Sequence, residues 1–183
     1  DYGQRHRIEI NASQALAKKA EASFQLIDIQ FMATLSNSAM IHSDQPIEQK
    51  EGELPTTFVP GRNALFLTVA AMVAHQKQIN VVYTGVCQTD YSGYPDCRES
   101  FIQSQMNTIN LAMDSALQIE TPLMHLTKAD TVGLMHRLGC LDWYKLSHTC
   151  YEGTVPACGQ CPACKLRLNG FKEAGFDDPL AYQ

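Results

Sequence analysis

The chain has 183 residues, a single tryptophan, an odd count of seven cysteines and fewer basic than acidic side chains. Lysine and arginine total 14 against 19 aspartates and glutamates, a net charge of -5. A nucleic-acid-binding surface normally carries a basic face, so this balance argues against one. No apolar run approaches the ~20 residues of a membrane-spanning helix, and there is no secretory hydrophobic region. Seven cysteines cannot all pair. A chain of this size does not need staples, so a disulfide framework is disfavoured and a reducing cytoplasm is the expected setting. Internal repeats and low-complexity segments are absent. What remains is a chain with 45% hydrophobic and 18% charged residues, the make-up of a globular domain with a proper core.

Cysteine itself is concentrated. Cys150, Cys158, Cys161 and Cys164 fall within fifteen residues, the last three spaced C-x-x-C-x-x-C. That spacing brings thiolates to one side of a turn, and four of them on one ion make the closed tetrahedral site of a structural zinc, with Zn–S near 2.3 Å. Gly159 permits a tight turn, and Pro162 and Cys164 sit where a helix starts, whose free N–H groups favour thiolate. Iron–sulfur proteins also use C-x-x-C-x-x-C, but their further cysteine follows the triplet. Here it precedes the triplet by eight positions, which favours zinc. His148 is close enough to replace a ligand, yet four cysteines already complete the shell.

Along the chain, Ile8, Ala12, Ala15, Leu16 and Ala20 recur at helical spacing and predict an amphipathic helix over 8–20. Phe24, Leu26, Ile27 and Ile29 predict a buried strand over 23–29, with a short ambiguous segment over 30–38. Residues 39–57 form a long polar excursion. The turn at 58–63 leads into a helix that is apolar nearly all round from Ala64 and is expected to be buried. A β-branched run over 79–86 predicts a strand of the buried parallel kind. A loop over 87–98 follows, then a helix with Phe101, Ile102, Ile109, Met113, Ala116 and Leu117 inward, and a short strand at 119–124. Thr127 to Asp130 resembles a capping box opening a helix that Gly139 closes. Cys140 reads as core, 141–146 leads into the cysteine knuckle, and a last helix ends near Gly175. Strands alternating with helices imply a parallel sheet covered on both faces, with ligands outside the strands' carboxyl ends. The polar groups at 1–7, 58–63, 87–98 and around Lys128 are expected to converge there.

The loop over 87–98 is the densest in chemistry. Asp90 and Asp96 can accept hydrogen bonds from a ring N–H or amino group, and Tyr91 and Tyr94 can cover a flat heterocycle. Arg98 and Arg62 can hold a carboxylate or phosphate, and Lys128 can add a charge at a helix start. An ordinary surface loop with satisfied turn residues is the plainer reading, and Lys128 alone reads as a solvated lysine. Cys87 and Cys97 have no base beside them in sequence, which favours lining over nucleophilic roles.

Taken in order, Asp1-Tyr-Gly-Gln-Arg-His6, Phe58-Val-Pro-Gly-Arg-Asn63, Gly85-Val-Cys-Gln-Thr-Asp-Tyr-Ser-Gly-Tyr-Pro-Asp-Cys-Arg98, Glu120-Thr-Pro-Leu123 and the cysteine knuckle resemble the 7-cyano-7-deazaguanine synthase (QueC/ExsB) family over essentially the whole chain. The resemblance implies an α/β fold with a three-layer parallel sheet, adenine nucleotide α-hydrolase-like, of the PP-loop ATP pyrophosphatase type. Residues 1–146 would form that domain and 147–183 its zinc-binding lobe. It implies an ATP-dependent ligase of queuosine biosynthesis that converts 7-carboxy-7-deazaguanine and ammonia to the nitrile, with ATP and Mg2+ as co-substrate. It implies a cytoplasmic homodimer that uses neither nucleic acid nor membrane. Carried over residue by residue, Arg62, Asn63 and Lys128 would be catalytic. Asp90, Tyr91, Tyr94, Asp96, Cys97 and Arg98 would bind the deazapurine, and Asp1, Tyr2, Gly3, Gln4 and Gly85 the nucleotide. Cys150, Cys158, Cys161 and Cys164 would hold a structural Zn2+. The family's Ser-Gly-Gly-x-Asp-Ser phosphate loop would precede Asp1 and is not among these residues, so the expectation is that the 183 residues alone do not turn over. A knuckle that binds a protein or nucleic acid without catalysis is the alternative, against which stand the few basic residues there, Lys165, Arg167 and Lys172. A tRNA-modifying thiolase of the same fold is a weaker third reading.

Overall fold

The computed structural model describes residues 1–50, 52–89 and 93–183. They divide into two compact units, Pro60–Thr127 in one and Asp1–Val59 with Lys128–Gln183 in the other.

The continuous unit is a strand–helix–strand crossover with one further helix. Helix α2 runs Arg62–Gln76, strand β1 Val81–Tyr83, helix α3 Glu99–Met113 and strand β2 Gln118–Glu120. The β-branched Val81 and Val82 favour the pleated backbone. β1 lies parallel to β2 with Val82 opposite Ile119, the parallel pairing the sequence predicts. Leu67, Ala71 and Ala74 make one stripe of α2, which closes with Ile102, Ile109, Leu117, Ile119 and Met124 into the core. Burying the leucine, isoleucine and methionine side chains of this cluster contributes about 1.5–3 kcal/mol each. Asn110 fixes the chain reversal after α3, since its Oδ1 accepts from the Leu117 N–H at 2.8 Å and its Nδ2 donates to the Leu117 carbonyl at 2.9 Å.

Three expectations need correction here. α2 is not buried all round, because Phe66 and Met72 stand 38% and 59% exposed. β1 is not fully buried either, with Tyr83 at 71%. An all-apolar run predicts complete cover, and these side chains find none in the described structure. Ala116 faces solvent rather than the core, because α3 ends at Met113 and the left-handed backbone at Asp114 (φ 46°) breaks the helical period.

The second unit holds α1 (Ile8–Lys19), α4 (Lys128–Arg137) and α5 (Pro162–Ala174), with 3-10 turns at Gln30–Thr34 and Leu141–Leu146. α5 begins on Pro162, whose fixed φ suits a first helical residue. It ends at Gly175 in the left-handed conformation, with the Phe176 N–H closing on the Phe171 carbonyl at 3.0 Å. Residues 147–183 belong to the same unit as 128–146. No residue of α1 is fully buried. Residues 23–29 are not a strand. Their backbone meets another segment at their end, where the Asp1 N donates to the Ile27 carbonyl and the Ile29 N–H to the Asp1 carbonyl, both at 2.8 Å. Phe24 and Leu26 stay exposed, since a strand becomes one only along a partner and two bonds are no ladder. Cys140 is half-buried rather than core, its Sγ directed at the Leu138 carbonyl at 3.4 Å.

α4 and α5 cross where Gly170 meets Lys128. A Cβ on Gly170 would lie 2.5 Å from the Lys128 Cβ. The helices approach this closely only because the glycine has no side chain. Gly170→Ala is therefore expected to destabilise the protein by about 1–3 kcal/mol through overpacking, read as a lower urea midpoint at unchanged slope.

Candidate functional site

The knuckle is built from two turns and a helix start. Cys150 closes an irregular segment, Gly159 turns the chain at φ +68°, and Cys161 precedes the first turn of α5, in which Cys164 lies. All four Sγ atoms lie within 4.8 Å of one another, and Cys150 and Cys164 are fully buried. Tetrahedral arms of about 2.3 Å place sulfurs roughly 3.8 Å apart, and Cys158 Sγ and Cys164 Sγ are separated by 3.9 Å. Backbone N–H groups already point at sulfur: Cys158 N–H at Cys150 (3.4 Å) and Cys161 N–H at Cys158 (3.3 Å). Burial pushes the Cys150 thiol up, but hydrogen bonds from Cys158 and Thr154 outweigh it and leave it at about 7. Burial, with the neighbouring cysteines, holds Cys161 and Cys164 above the ordinary thiol range. Left to itself the cluster resists carrying four negative charges, and a divalent soft cation is what this donor set fits. His148 is not a fifth donor. Its Nε2 faces the Thr154 carbonyl at 3.1 Å.

A second buried assembly anchors the knuckle. Arg167 of α5 donates from Nε to Asp178 Oδ2 (2.7 Å) and from Nη2 to Oδ1 (2.8 Å), a bidentate pair with side chains 7% and 3% exposed. Its remaining donors reach Ser147 Oγ (2.7 Å) and the Tyr144 carbonyl (3.2 Å), and Tyr182 O–H donates to Asp178 Oδ2 at 2.5 Å. The tail then pairs with the knuckle through Ala157 and Tyr182. Sequence reading missed this network because Arg167 and Asp178 carry no local signal.

In the continuous unit, five of the predicted site residues meet at the start of α2. Asp96 is buried and spends Oδ2 on the Asn63 N–H, 3.2 Å away. Asn63 Nδ2 answers with the Asp96 carbonyl at 3.0 Å and Cys97 Sγ at 3.5 Å. The loop thus caps the free N–H groups of α2 from 33 positions away, a tertiary version of an N-cap. Asp96 Oδ1 is buried and has no partner among the described residues. A buried carboxylate oxygen without a donor costs free energy, and a ligand N–H would relieve it. Arg62 lies over the Tyr94 ring at 5.9 Å. Arg98 is exposed at the start of α3, and Gly85 is exposed just beyond β1. Asp90 and Tyr91 lie outside the described residues. Cys87 is buried, its Sγ 2.9 Å from both the Leu126 carbonyl and Thr89 Oγ1.

The remaining predicted residues lie in the other unit. Lys128 begins α4 against Gly170. Asp1 accepts from the Gly3 N–H (3.0 Å), Arg7 (2.6 Å) and Gln30 (3.2 Å). Tyr2 and Gln4 are buried, Gln4 Oε1 accepting from the Tyr2 N–H at 3.0 Å. Their side chains shape the turn, and Gly3 is the position that stays partly open within it.

The described residues thus hold a parallel strand–helix–strand unit with polar loops at its carboxyl ends, an α/β arrangement, and a cluster of four cysteines that could hold a metal ion. The chain belongs to the QueC family: the family profile described as queuosine biosynthesis protein QueC matches residues 1–175. It is similar to a 7-cyano-7-deazaguanine synthase of Laribacter hongkongensis (strain HLHK9), 48% identical over 185 residues, covering 98% of this chain and 80% of that protein. The 7-cyano-7-deazaguanine synthase of Chromobacterium violaceum is 46% identical over the same length, with 98% and 78% covered.

Proposed function

We propose that this chain is the ATP-dependent carbon–nitrogen ligase that makes 7-cyano-7-deazaguanine from 7-carboxy-7-deazaguanine and ammonia. The observation that carries the reading is family membership over nearly the whole chain together with a close relationship to two synthases. A carboxylate is a poor electrophile. Transfer of AMP from ATP to its oxygen, with release of pyrophosphate, supplies a leaving group. Ammonia displaces AMP to give the amide. A second ATP-dependent activation of the amide oxygen lets that oxygen leave, with loss of the nitrogen's protons, as the nitrile forms.

The finer parts of this reading are also proposals. The scaffold is the three-layer, adenine nucleotide α-hydrolase-like plan of PP-loop enzymes, with residues 1–146 as its domain and 147–183 as its metal-binding lobe. Asp96 Oδ1 takes a donor from the guanine-like edge, Tyr94 covers the ring, and Arg62, Asn63 and Arg98 with Lys128 serve the anionic groups. Asp90, Tyr91 and Cys97 complete the substrate set. The loop at 1–4 and Gly85 serve the nucleotide, which carries Mg2+. Cys150, Cys158, Cys161 and Cys164 hold a structural zinc ion that fixes the polypeptide. A homodimer in the cytoplasm, working on small molecules, fits the same reading. No helix of the described residues is long and apolar enough to cross a membrane.

The test is genetic and chemical together. The full coding sequence, expressed in a bacterium lacking this ligase, is expected to restore queuosine in tRNA hydrolysates. Folded, metal-loaded protein without restored queuosine would overturn the ligase and favour a binding module. An Asp96→Asn variant is expected to lower kcat/KM for the deazapurine about 100-fold, since a buried charge-assisted hydrogen bond is worth roughly 1.5–3 kcal/mol, with the KM for ATP little changed.

A further inference from the structure

The knuckle does more than tie α5 to its own tail. Between Cys150 and the next ligand the chain makes a loop, and that loop sits on the polypeptide of residues 5 and 6. Arg5 pairs with Glu152, and its guanidinium also donates to the carbonyls of Ala39 and Gln45, both at 3.3 Å. The Arg5 N–H donates to the Met40 carbonyl at 2.8 Å. Gly153 stands at φ +67°, where a side chain is strained. A Cβ there would lie 3.0 Å from the His6 Cα and 3.2 Å from the Arg5 carbonyl oxygen. Tyr151 meets the His6 ring edge-on at 6.2 Å. His6 is buried at 3% exposure, pairs through Nε2 with Glu9 at 2.8 Å, and leaves Nδ1 without a partner among the described residues. Three consecutive residues after Cys150 thus hold the polypeptide at Arg5 and His6, in the segment of residues 1–7.

We infer that Glu152 and Gly153 are positioning residues for the loop at residues 1–7, and that the metal centre acts on the reaction through them. This rests on the reading of that loop as the nucleotide's. Cys150 sets where the loop of 151–154 lies. Gly153 sets how near that loop comes to His6. The Glu152 carboxylate draws in Arg5, which is already held to Ala39, Met40 and Gln45, and so fixes the height of Tyr2, Gly3 and Gln4. Only glycine allows the approach, and only an acidic side chain at 152 completes it.

Glu152→Gln and Gly153→Ala, each made in the full-length protein, test this. Both are expected to keep one zinc per chain, and both to raise the KM for ATP about tenfold or more with the KM for the deazapurine acid within about twofold. Glu152→Asp is expected to recover most of the loss. Should Gly153→Ala not fold, Glu152→Gln, half-exposed and conservative, carries the test alone. Unchanged ATP kinetics with zinc retained would overturn the proposal. So would a uniform fall in kcat with neither KM altered. Hydrogen exchange on the unmodified protein separates the two layers. ATP that protects residues 1–7 upholds the nucleotide loop, so that a silent Glu152→Gln then refutes the positioning role alone. ATP that leaves 1–7 unprotected refutes the loop assignment, and the positioning role with it.

Discussion

Cys164→Ser is expected to leave the protein without stoichiometric zinc and without a cooperative unfolding transition in the unit that holds the knuckle. Cys164 is fully buried in the first turn of α5, a helix that packs against α4. Without the cation, four sulfurs within 4.8 Å must share few charges, because burial holds the protons on Cys161 and Cys164. Structural zinc contributes roughly 10–16 kcal/mol in small zinc domains, as much as or more than the whole 5–15 kcal/mol margin of a folded domain. The surrounding core lessens the loss without covering it. Elemental analysis, with circular dichroism during chelation, checks the expectation. A chelated or Cys164→Ser protein that melts within a few degrees of the loaded one would show that the sulfurs merely pack. Iron in place of zinc would reassign the cluster.

Arg167→Met is expected to be the next most damaging change, costing about 3–5 kcal/mol, because it leaves the Asp178 carboxylate buried without its partner. In the native protein burial pushes the Asp178 carboxyl up. The hydrogen bonds from Arg167, Tyr182 and the Leu180 N–H more than offset this and hold it below the ordinary range. A depressed carboxylate stabilises the fold at pH values above its unfolded pKa of about 3.9, and that contribution is lost as pH falls through the folded pKa. The variant reverses the sign. Its unpaired Asp178 prefers the proton, so the stability gap between the two proteins is widest near neutrality and narrows toward pH 4. Urea midpoints at both pH values read this directly. Arg167→Lys rescues only in part, since an ammonium cannot reproduce the bidentate fork that also serves Ser147 and Tyr144. A gap that stays constant with pH would mean that Arg167 acts through packing on Tyr144 and Phe171 alone.

The parts legible in the sequence are those whose physics is local. A C-x-x-C-x-x-C run is a statement about neighbouring backbone, and the structure gathers those sulfurs as expected. The end of the last helix at Gly175 is likewise local and is found there, whereas α2, expected to be buried nearly all round, has its buried apolar residues along the Leu67, Ala71 and Ala74 stripe alone. The segment 23–29 shows the limit. Its composition suits a strand, but pairing is a property of two segments, and the composition of one says nothing of the other. Asn63 and Asp96 are both expected to face a ligand, and Asp96 also gives one oxygen to the first turn of α2, since no pattern announces a cap that comes from 33 positions away. His6 and Gly153 carry no such signal for the same reason. Glycine in a knuckle reads as a turn, and only coordinates show which backbone it lets in.

The way the chain divides bears on how it is made. Residues 60–127 form a unit from one uninterrupted stretch, whereas the other unit draws on 1–59 and on 128–183. On the ribosome, residues 1–59 meet none of their partners at 128–183 until the intervening stretch has been translated, a delay of several seconds at about 5–20 residues per second. During that interval the crossover of β1, α3 and β2 can close, while Arg5 waits without Glu152, Lys19 without Asp142, and the cysteines at 150–164 have yet to appear. The four cysteines of the knuckle thus emerge only after residues 60–127, so any ion that they hold is bound once that unit has had time to fold.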